Sequence, residues 1–135
     1  MSANLSEIIK VDHALNYQSL NNGNANTEVF SMANYDRIEF LVDSAAVAGK
    51  LNITLYQSTD NTVANGSSMA TTISNANITA ANTLTKIEVR APQLDGVNGY
   101  YYVYARITEV NSAASTCSAT AVRYPARYNQ ASLLS

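Results

Sequence analysis

The chain has little of what catalysis and membrane insertion usually need. Among its 135 residues there is no tryptophan, one histidine (His13) and one cysteine (Cys117). A single cysteine excludes an internal disulfide, and no apolar run reaches the roughly 18 residues that cross a bilayer. The start MSANLSEIIK lacks the basic beginning and long apolar segment of a secretory signal. We therefore expect a protein made, and assembled, in a reducing cytoplasm.

Charged side chains are also scarce, at 13% of residues, which argues against long solvated helices. The basic residues stand singly along the chain and the net charge is -2, so no basic patch for nucleic acid is visible. Asparagine, serine, threonine and alanine take the place of charge, while hydrophobic residues reach 47%, enough for a core. Such a composition is typical of β-rich structural and surface proteins.

The titratable residues form no catalytic or metal-binding motif. We interpret His13, in a polar stretch, as a surface residue and Cys117, in STCSATAV, as a small buried one. The carboxylates fall mostly one to a strand, where surface ion pairing explains them better than a glycosidase-like acid pair. The segment STDNTVANG has the polar oxygens that a calcium-binding loop needs, but it lacks the regular D-x-D-x-D spacing and the closing glutamate of such a loop. We therefore expect no enzyme, with no catalytic residues, no cofactor and no metal.

What is present is a series of short segments in which apolar and polar residues alternate. Alternation with a period of two predicts strands that turn one face to a core. The clearest are YDRIEFLVDS (residues 35–44) and KLNITLYQS (residues 50–58), which the turn between them predicts to pair as a hairpin. TKIEVRA, GYYYVYARITEV and STCSATAVRY follow. The predicted inward positions include Ile38, Phe40, Val42, Leu51, Ile53, Leu55, Ile87 and Val89.

Some six to eight strands separated by turn residues, without a persuasive helix, predict an all-β fold. The expected architecture is a single-domain antiparallel β-sandwich, jelly-roll-like in type, over residues 35–128. A C-terminal tail follows at 129–135. Residues 1–34 are irregular and rich in asparagine around Gly23. They form either an N-terminal arm or a first strand followed by a long loop.

The segment GYYYVYARITEV concentrates aromatic surface on one strand. One face is apolar and is expected in the core; the other combines aromatic bodies, polar tips and an arginine. Because tyrosine and arginine are enriched where protein surfaces meet, we interpret this second face as an interface with a sister subunit. Cover by the chain's own loop or arm, and stacking on a sugar, are the alternatives. The core face has Tyr101, Val103, Ala105 and Ile107, and the interface face has Tyr100, Tyr102, Tyr104 and Arg106.

Three segments, in their order, carry a resemblance to a known family. They are YDRIEFLVDSAAVAGKLNITLYQSTD, the IEVRAPQLDG segment that leads into the aromatic strand, and the closing AVRYPARY at residues 121–128. Together, over residues 35–128, they resemble small capsid decoration (cement) proteins encoded among the head genes of tailed bacteriophages. The resemblance implies a β-rich fold without enzymatic activity. Such proteins bind the outside of the shell at local symmetry axes, often as trimers, and hold neighbouring major capsid subunits together.

On that resemblance we expect a structural virion protein at the capsid surface, assembled in the host cytoplasm. Its partner would be the major capsid protein and its state a homotrimer, without direct contact with nucleic acid or membrane. Segments at the two chain ends would reach the shell. The alternative is a carbohydrate-binding or adhesive β-sandwich module, such as a head-fibre or tail component. The expected capsid contacts are Ile8, Ile9, Val11, Tyr124, Arg127 and Tyr128.

Overall fold

The computed structural model describes residues 9–69, 76–110 and 114–125, which form ten strands and three short 3₁₀ turns. No described residue belongs to a helix long and apolar enough to cross a bilayer. The turns are Val63–Asn65, Ala91–Gln93 and Gly96–Asn98. The strands are β1 (Lys10–Asn21), β2 (Asn24–Asn26), β3 (Phe30–Ser31), β4 (Tyr35–Val47), β5 (Leu51–Ser58), β6 (Gly66–Ser68), β7 (Ala76–Ile78), β8 (Thr83–Arg90), β9 (Tyr102–Glu109) and β10 (Ala114–Pro125).

The strands form two antiparallel sheets that pack against each other, which confirms the predicted all-β sandwich. Sheet A has the order β1–β10–β4–β8. Sheet B has the order β2–β9–β5–β6, and in addition β3 pairs with β9 and β7 with β5. The core lies between the sheets and takes alternate residues from each strand, as the period of two predicts. All the inward positions named from β4, β5 and β8 are buried: Ile38, Phe40, Val42, Leu51, Ile53, Leu55, Ile87 and Val89.

The predicted hairpin between β4 and β5 is wrong. β4 pairs with β10 on one side and β8 on the other within sheet A, whereas β5 pairs with β9 in sheet B. Residues 48–50 therefore connect the two sheets across one end of the sandwich. Each of the two strands has one strongly apolar face. Because the strands lie in opposite sheets, the two faces pack into the same core between the sheets. Alternation predicts which face of a strand is buried, but it does not predict which strand lies beside it.

Most of the chain before residue 35 belongs to the sandwich. β1 lies beside β10 along its length, and β2 and β3 both pair with β9 in sheet B. Of the two predicted alternatives, the structure therefore has a first strand, β1, but β2 and β3 stand where a long loop was predicted, and the sandwich begins before residue 35. The predicted tail at 129–135 lies outside the described residues.

The edges of the two sheets differ in regularity. β1, at one edge of sheet A, shifts register between His13 and Leu15 and again between Leu15 and Gln18. Within the described residues, both edges of sheet B consist of strands two or three residues long. β8, at the other edge of sheet A, pairs with β4 over Thr83–Arg90 without any shift. In the part of the chain that the structure describes, no strand pairs with the other side of β8.

Candidate functional site

The tyrosine-rich strand β9 lies inside sheet B, between β2 and β5. Val103, Ala105 and Ile107 face the core and are fully buried, as predicted. Tyr101 precedes the strand and is 52% exposed, so the prediction that it faces the core is wrong. Its hydroxyl donates to the carbonyl oxygen of Gly96 at 3.0 Å. The ring is therefore held by the loop between β8 and β9 and not by core packing.

Tyr104, which we predicted at an interface with a sister subunit, is covered by its own chain. Only 1% of the residue is exposed. Its ring stacks on that of Tyr56, with 5.1 Å between centroids. Gly66 lies close to the hydroxyl end of the Tyr104 ring, where it leaves no space for a Cβ atom. The Tyr104 hydroxyl donates to the carbonyl oxygen of Val63 at 3.2 Å, and burial raises the pKa of Tyr104. Tyr104 is thus unavailable to a second copy, because the β5–β6 connection occupies the place of a partner.

Arg106 lies beside this stack on the same face of sheet B. Its guanidinium carbon is 4.7 Å from the centroid of the Tyr56 ring, and Nη1 donates to the Tyr56 hydroxyl at 3.2 Å. Nε donates to Asn26 Oδ1 at 2.8 Å. Tyr100 and Tyr102 are half-buried, and Tyr100 lies before β9. Two of the four residues predicted at an interface with a sister subunit, Tyr104 and Arg106, are therefore engaged within the chain.

Past Arg106, the outer face of sheet B continues as a row of amides and hydroxyls. Asn52 Nδ2 donates to Asn77 Oδ1 at 2.8 Å, and Thr54 Oγ1 donates to Asn52 Oδ1 at 3.1 Å. Cross-strand register puts one residue from each of four strands in this row: Asn24, Thr108, Asn52 and Asn77.

The outer face of sheet A carries charges of both signs around Glu39. The Glu39 carboxylate lies 3.9 Å from Arg37 and 3.8 Å from Lys86, and it accepts a hydrogen bond from the Tyr124 hydroxyl at 3.2 Å. Arg37 also pairs with Glu88 at 3.4 Å and covers the Tyr124 ring at 4.0 Å. Burial and the nearby Glu39 carboxylate raise the pKa of Tyr124. Like charges lie directly opposite each other on β4 and β8, Glu39 beside Glu88 and Arg37 beside Arg90. The attraction between diagonal neighbours such as Arg37 and Glu88 offsets the repulsion between these like charges.

Two of the predicted capsid contacts share this face. Val11 is 58% exposed and lies opposite Val122 of β10, which is two residues from Tyr124. Val122 itself is buried. Ile9 is half-buried immediately before β1. The other predicted contacts lie outside the described residues: Ile8, Arg127 and Tyr128.

The two ends of the described chain lie next to each other. β1 begins where β10 ends, and Lys10 pairs with Arg123. The segment that precedes Ile9 and the segment that follows Pro125 are therefore attached at neighbouring points of sheet A.

Arg123 is an interior residue that we did not anticipate from the sequence, and it joins three strands. It is 8% exposed, and Nη2 donates to Asp12 Oδ2 of β1 at 2.8 Å. Nη1 donates to the carbonyl oxygen of Ser31 in β3 at 2.9 Å. The guanidinium lies over the Tyr35 ring at 4.5 Å and the Phe30 ring at 5.4 Å. This cluster closes the core at the end where β1 begins beside the end of β10.

The residues considered for chemistry lie apart. His13 is exposed on β1, whereas Cys117 of β10 is fully buried, and burial raises the pKa of its thiol to about 11. Among the described residues, no three histidine, cysteine, aspartate or glutamate side chains form a group that could hold a metal. Asp60, in the loop considered for calcium, accepts hydrogen bonds from Thr62 and Asn65, and these lower the pKa of Asp60. Its oxygens are used within the loop.

No protein-family model matches the chain, and no curated protein sequence matches it. Solved structures match it at low identity. The exported protein XepA of PBSX has a TM-score of 0.61 at 14% identity, over 94% of this chain and 40% of XepA. A protein of the Bacillus endospore appendages, which form disulfide-linked pili, has a TM-score of 0.54 at 13% identity, over 93% and 95%. VP2 of the infectious bursal disease virus subviral particle has a TM-score of 0.53 at 15% identity, over 87% and 32%.

The fold is one that exported, pilus and viral-particle proteins share. At such identities these likenesses concern the fold alone. The chain spans less than half the length of XepA and of VP2, so it corresponds to one part of each.

Proposed function

We propose that this protein is a structural component of a virion that binds the outer surface of the capsid and stabilises contacts between major capsid protein subunits. The observation that carries the proposal is that β1 begins where β10 ends, beside Val11 and Tyr124 on sheet A, so that both chain-end segments are attached at one place. Two segments attached at one place can engage two neighbouring shell subunits together. Linked contacts of this kind gain affinity through effective concentration, even where each contact is weak.

The chemistry of this surface also supports a docking role. Val11 provides an exposed apolar centre, and the charges around Glu39 provide a polar rim beside it. Interfaces between separately folded proteins have this arrangement, with an apolar centre and a hydrogen-bonding rim. The likeness in fold to viral-particle and pilus proteins, and the resemblance of residues 35–128 to decoration proteins, agree with it.

Particles assembled without this protein, after deletion of its gene, provide the test. Purified protein is added, and binding is measured by co-sedimentation while release of DNA on heating reports stability. We expect wild-type protein to bind and to raise the temperature of DNA release. Val11→Asp is expected to weaken binding by about tenfold or more, because it puts a charge into the apolar centre of the contact.

The matched control is Val97→Asp, at a position 97% exposed in the loop between β8 and β9. It adds the same charge away from sheet A and is expected to bind normally. If Val11→Asp and Val97→Asp bound the particles equally well, the surface around Val11 would not be the capsid contact. Failure of the wild type to bind any particle would contradict a capsid role.

The outer face of sheet B favours carbohydrate binding or adhesion as a second candidate function. Its row of amides and hydroxyls next to Arg106 offers the donors and acceptors that hydroxyl-rich ligands require. On a glycan array, this function predicts a signal that Arg106→Ala abolishes and that Arg90→Ala, an exposed arginine of sheet A, leaves intact. The capsid proposal predicts no glycan signal for the wild type.

A further inference from the structure

We infer that the edge of β8 that no described strand occupies pairs with the same edge of a second copy, joining two sandwiches through one continuous sheet. The argument begins with the other edges. β1 is interrupted by two register shifts, and the edges of sheet B are broken into very short strands. Bulges and short strands are devices that prevent sheets from pairing edge to edge. β8 has neither, since it is regular over Thr83–Arg90.

A regular edge offers unpaired backbone donors and acceptors to an added strand. The edge of β8 also exposes an apolar side chain, since Leu84 is 65% exposed. Ile87 and Val89 of the same strand face the core, so an added strand with the same alternation would continue the buried face of sheet A. β8 itself has this alternation.

The charges of β8 are complementary to those of a second, antiparallel β8. In a two-fold pair centred on Ile87, Lys86 lies opposite Glu88 of the second copy, and the reverse pair forms symmetrically. Both side chains have room to do so, with 60% of Lys86 and 36% of Glu88 exposed. Leu84 then lies opposite Arg90, whose apolar stem can cover it.

The same charges disfavour the neighbouring registers. A pair centred on Lys86 brings two lysines face to face, and a pair centred on Glu88 brings two glutamates face to face. A shift by one residue would turn the core residue Ile87 of one copy toward the outer face. An unrelated strand of uniform charge would meet at least one like charge on β8 whichever sign it carried, Glu88 if it were negative and both Lys86 and Arg90 if it were positive. The pattern thus suits a copy of this chain.

The interface has two-fold symmetry and gives a dimer, whereas the resemblance to decoration proteins implied a trimer. It concerns the protein alone in solution and does not rest on the proposed capsid function. The first experiment is a measurement of mass by sedimentation at concentrations up to about 1 mM, a range that covers weak association. A dimer is expected, and a monomer or a trimer would overturn the inference.

Charge exchange tests the register. Lys86→Glu and Glu88→Lys each put like charges opposite each other, and each variant alone is expected to be monomeric where the wild type is dimeric. An equal mixture of the two restores opposite charges and is expected to give a heterodimer. Lys10→Glu, on the opposite edge of sheet A, is the matched control and should remain dimeric. A mixture that stays monomeric would contradict the pairing.

Disulfide trapping makes the test independent of any effect of charge on folding. A variant with both Leu84→Cys and Arg90→Cys puts thiols opposite each other across the two-fold axis, and oxidation is expected to give covalent dimers. Six residues of extended strand, about 20 Å, keep the two thiols of one chain apart. Native Cys117 is fully buried. Leu84→Cys alone should not cross-link, and equal trapping by it would overturn the register.

Discussion

Replacing Arg123 with alanine is expected to lower the free energy of unfolding by about 2 kcal/mol, because it removes the hydrogen bonds and packing of a buried guanidinium and leaves the half-buried Asp12 carboxylate without its cation. The change leaves Asp12 unpaired and the carbonyl oxygen of Ser31 without its donor. It also empties the space between the rings of Phe30 and Tyr35. Urea denaturation measures the change, and the melting temperature should fall by about 10 °C.

Two comparisons define what Arg123 contributes. Arg90→Ala removes an exposed arginine and is expected to change stability by less than about 0.5 kcal/mol. The double variant Arg123→Met with Asp12→Ala removes both charges and fills the space, so it should be more stable than Arg123→Ala. Arg123 Nε is buried without a hydrogen-bond partner among the described residues, which favours this recovery. If Arg123→Ala loses no more than Arg90→Ala, the cluster does not stabilise the sandwich.

Gly66→Ala is expected to lower the free energy of unfolding by about 2 kcal/mol, because it forces an extra methyl group into a filled space. That methyl would meet the Tyr104 hydroxyl oxygen and lie 2.7 Å from a carbon of its ring. The ring is 1% exposed and stacked on Tyr56, so it has no space into which to move. Gly66 has φ -77° and ψ 145°, which alanine adopts freely, and the effect is therefore steric. Urea denaturation and the near-ultraviolet circular dichroism of tyrosine measure it.

Gly23→Ala is the matched control for this change. A methyl group there would have its nearest neighbour, the carbonyl oxygen of Asn21, at 3.9 Å. Gly23 has no positive φ, so alanine should be neutral or stabilising by up to about 1 kcal/mol through the unfolded chain. Adding Tyr104→Phe to Gly66→Ala should restore part of the loss, since the hydroxyl is the first atom to clash. If the double variant lost as much stability as the two single variants together, a clash with the hydroxyl would not be the cause.

The periodic part of the fold was predictable from the sequence. Ile38 in β4, Leu51 in β5 and Val103 in β9 lie in runs of alternation, and all are fully buried. Alternation follows from the backbone geometry of a strand, so it needs no knowledge of the partner strand. The pairing of strands depends on the whole topology. For that reason the turn after β4 suggested a hairpin where the chain changes sheets.

The candidate surfaces were predictable only in part. Tyr104 was correctly assigned to the face opposite Val103, but its cover comes from Gly66, and no local pattern connects the two. The burial of Arg123 could have been noticed in the sequence. In β10 it occupies the same alternate positions as the core residues Cys117, Ala119 and Ala121, so a charged residue lies at a position that alternation predicts to face inward. Val11 and Tyr124 were named because they lie near the chain ends. Their shared face depends on the pairing of β1 with β10, which the sequence does not reveal.

The neighbouring positions of the chain ends have a mechanical consequence. A load applied between the segments before Ile9 and after Pro125 acts on two antiparallel strands from the same end. It would peel β1 from β10 one residue pair at a time, starting at Lys10 and Arg123, instead of shearing all pairs together. The side chain of Arg123 holds Asp12 of β1 at the first of these pairs. Arg123 therefore strengthens the contact between the two strands at the point where their separation would start.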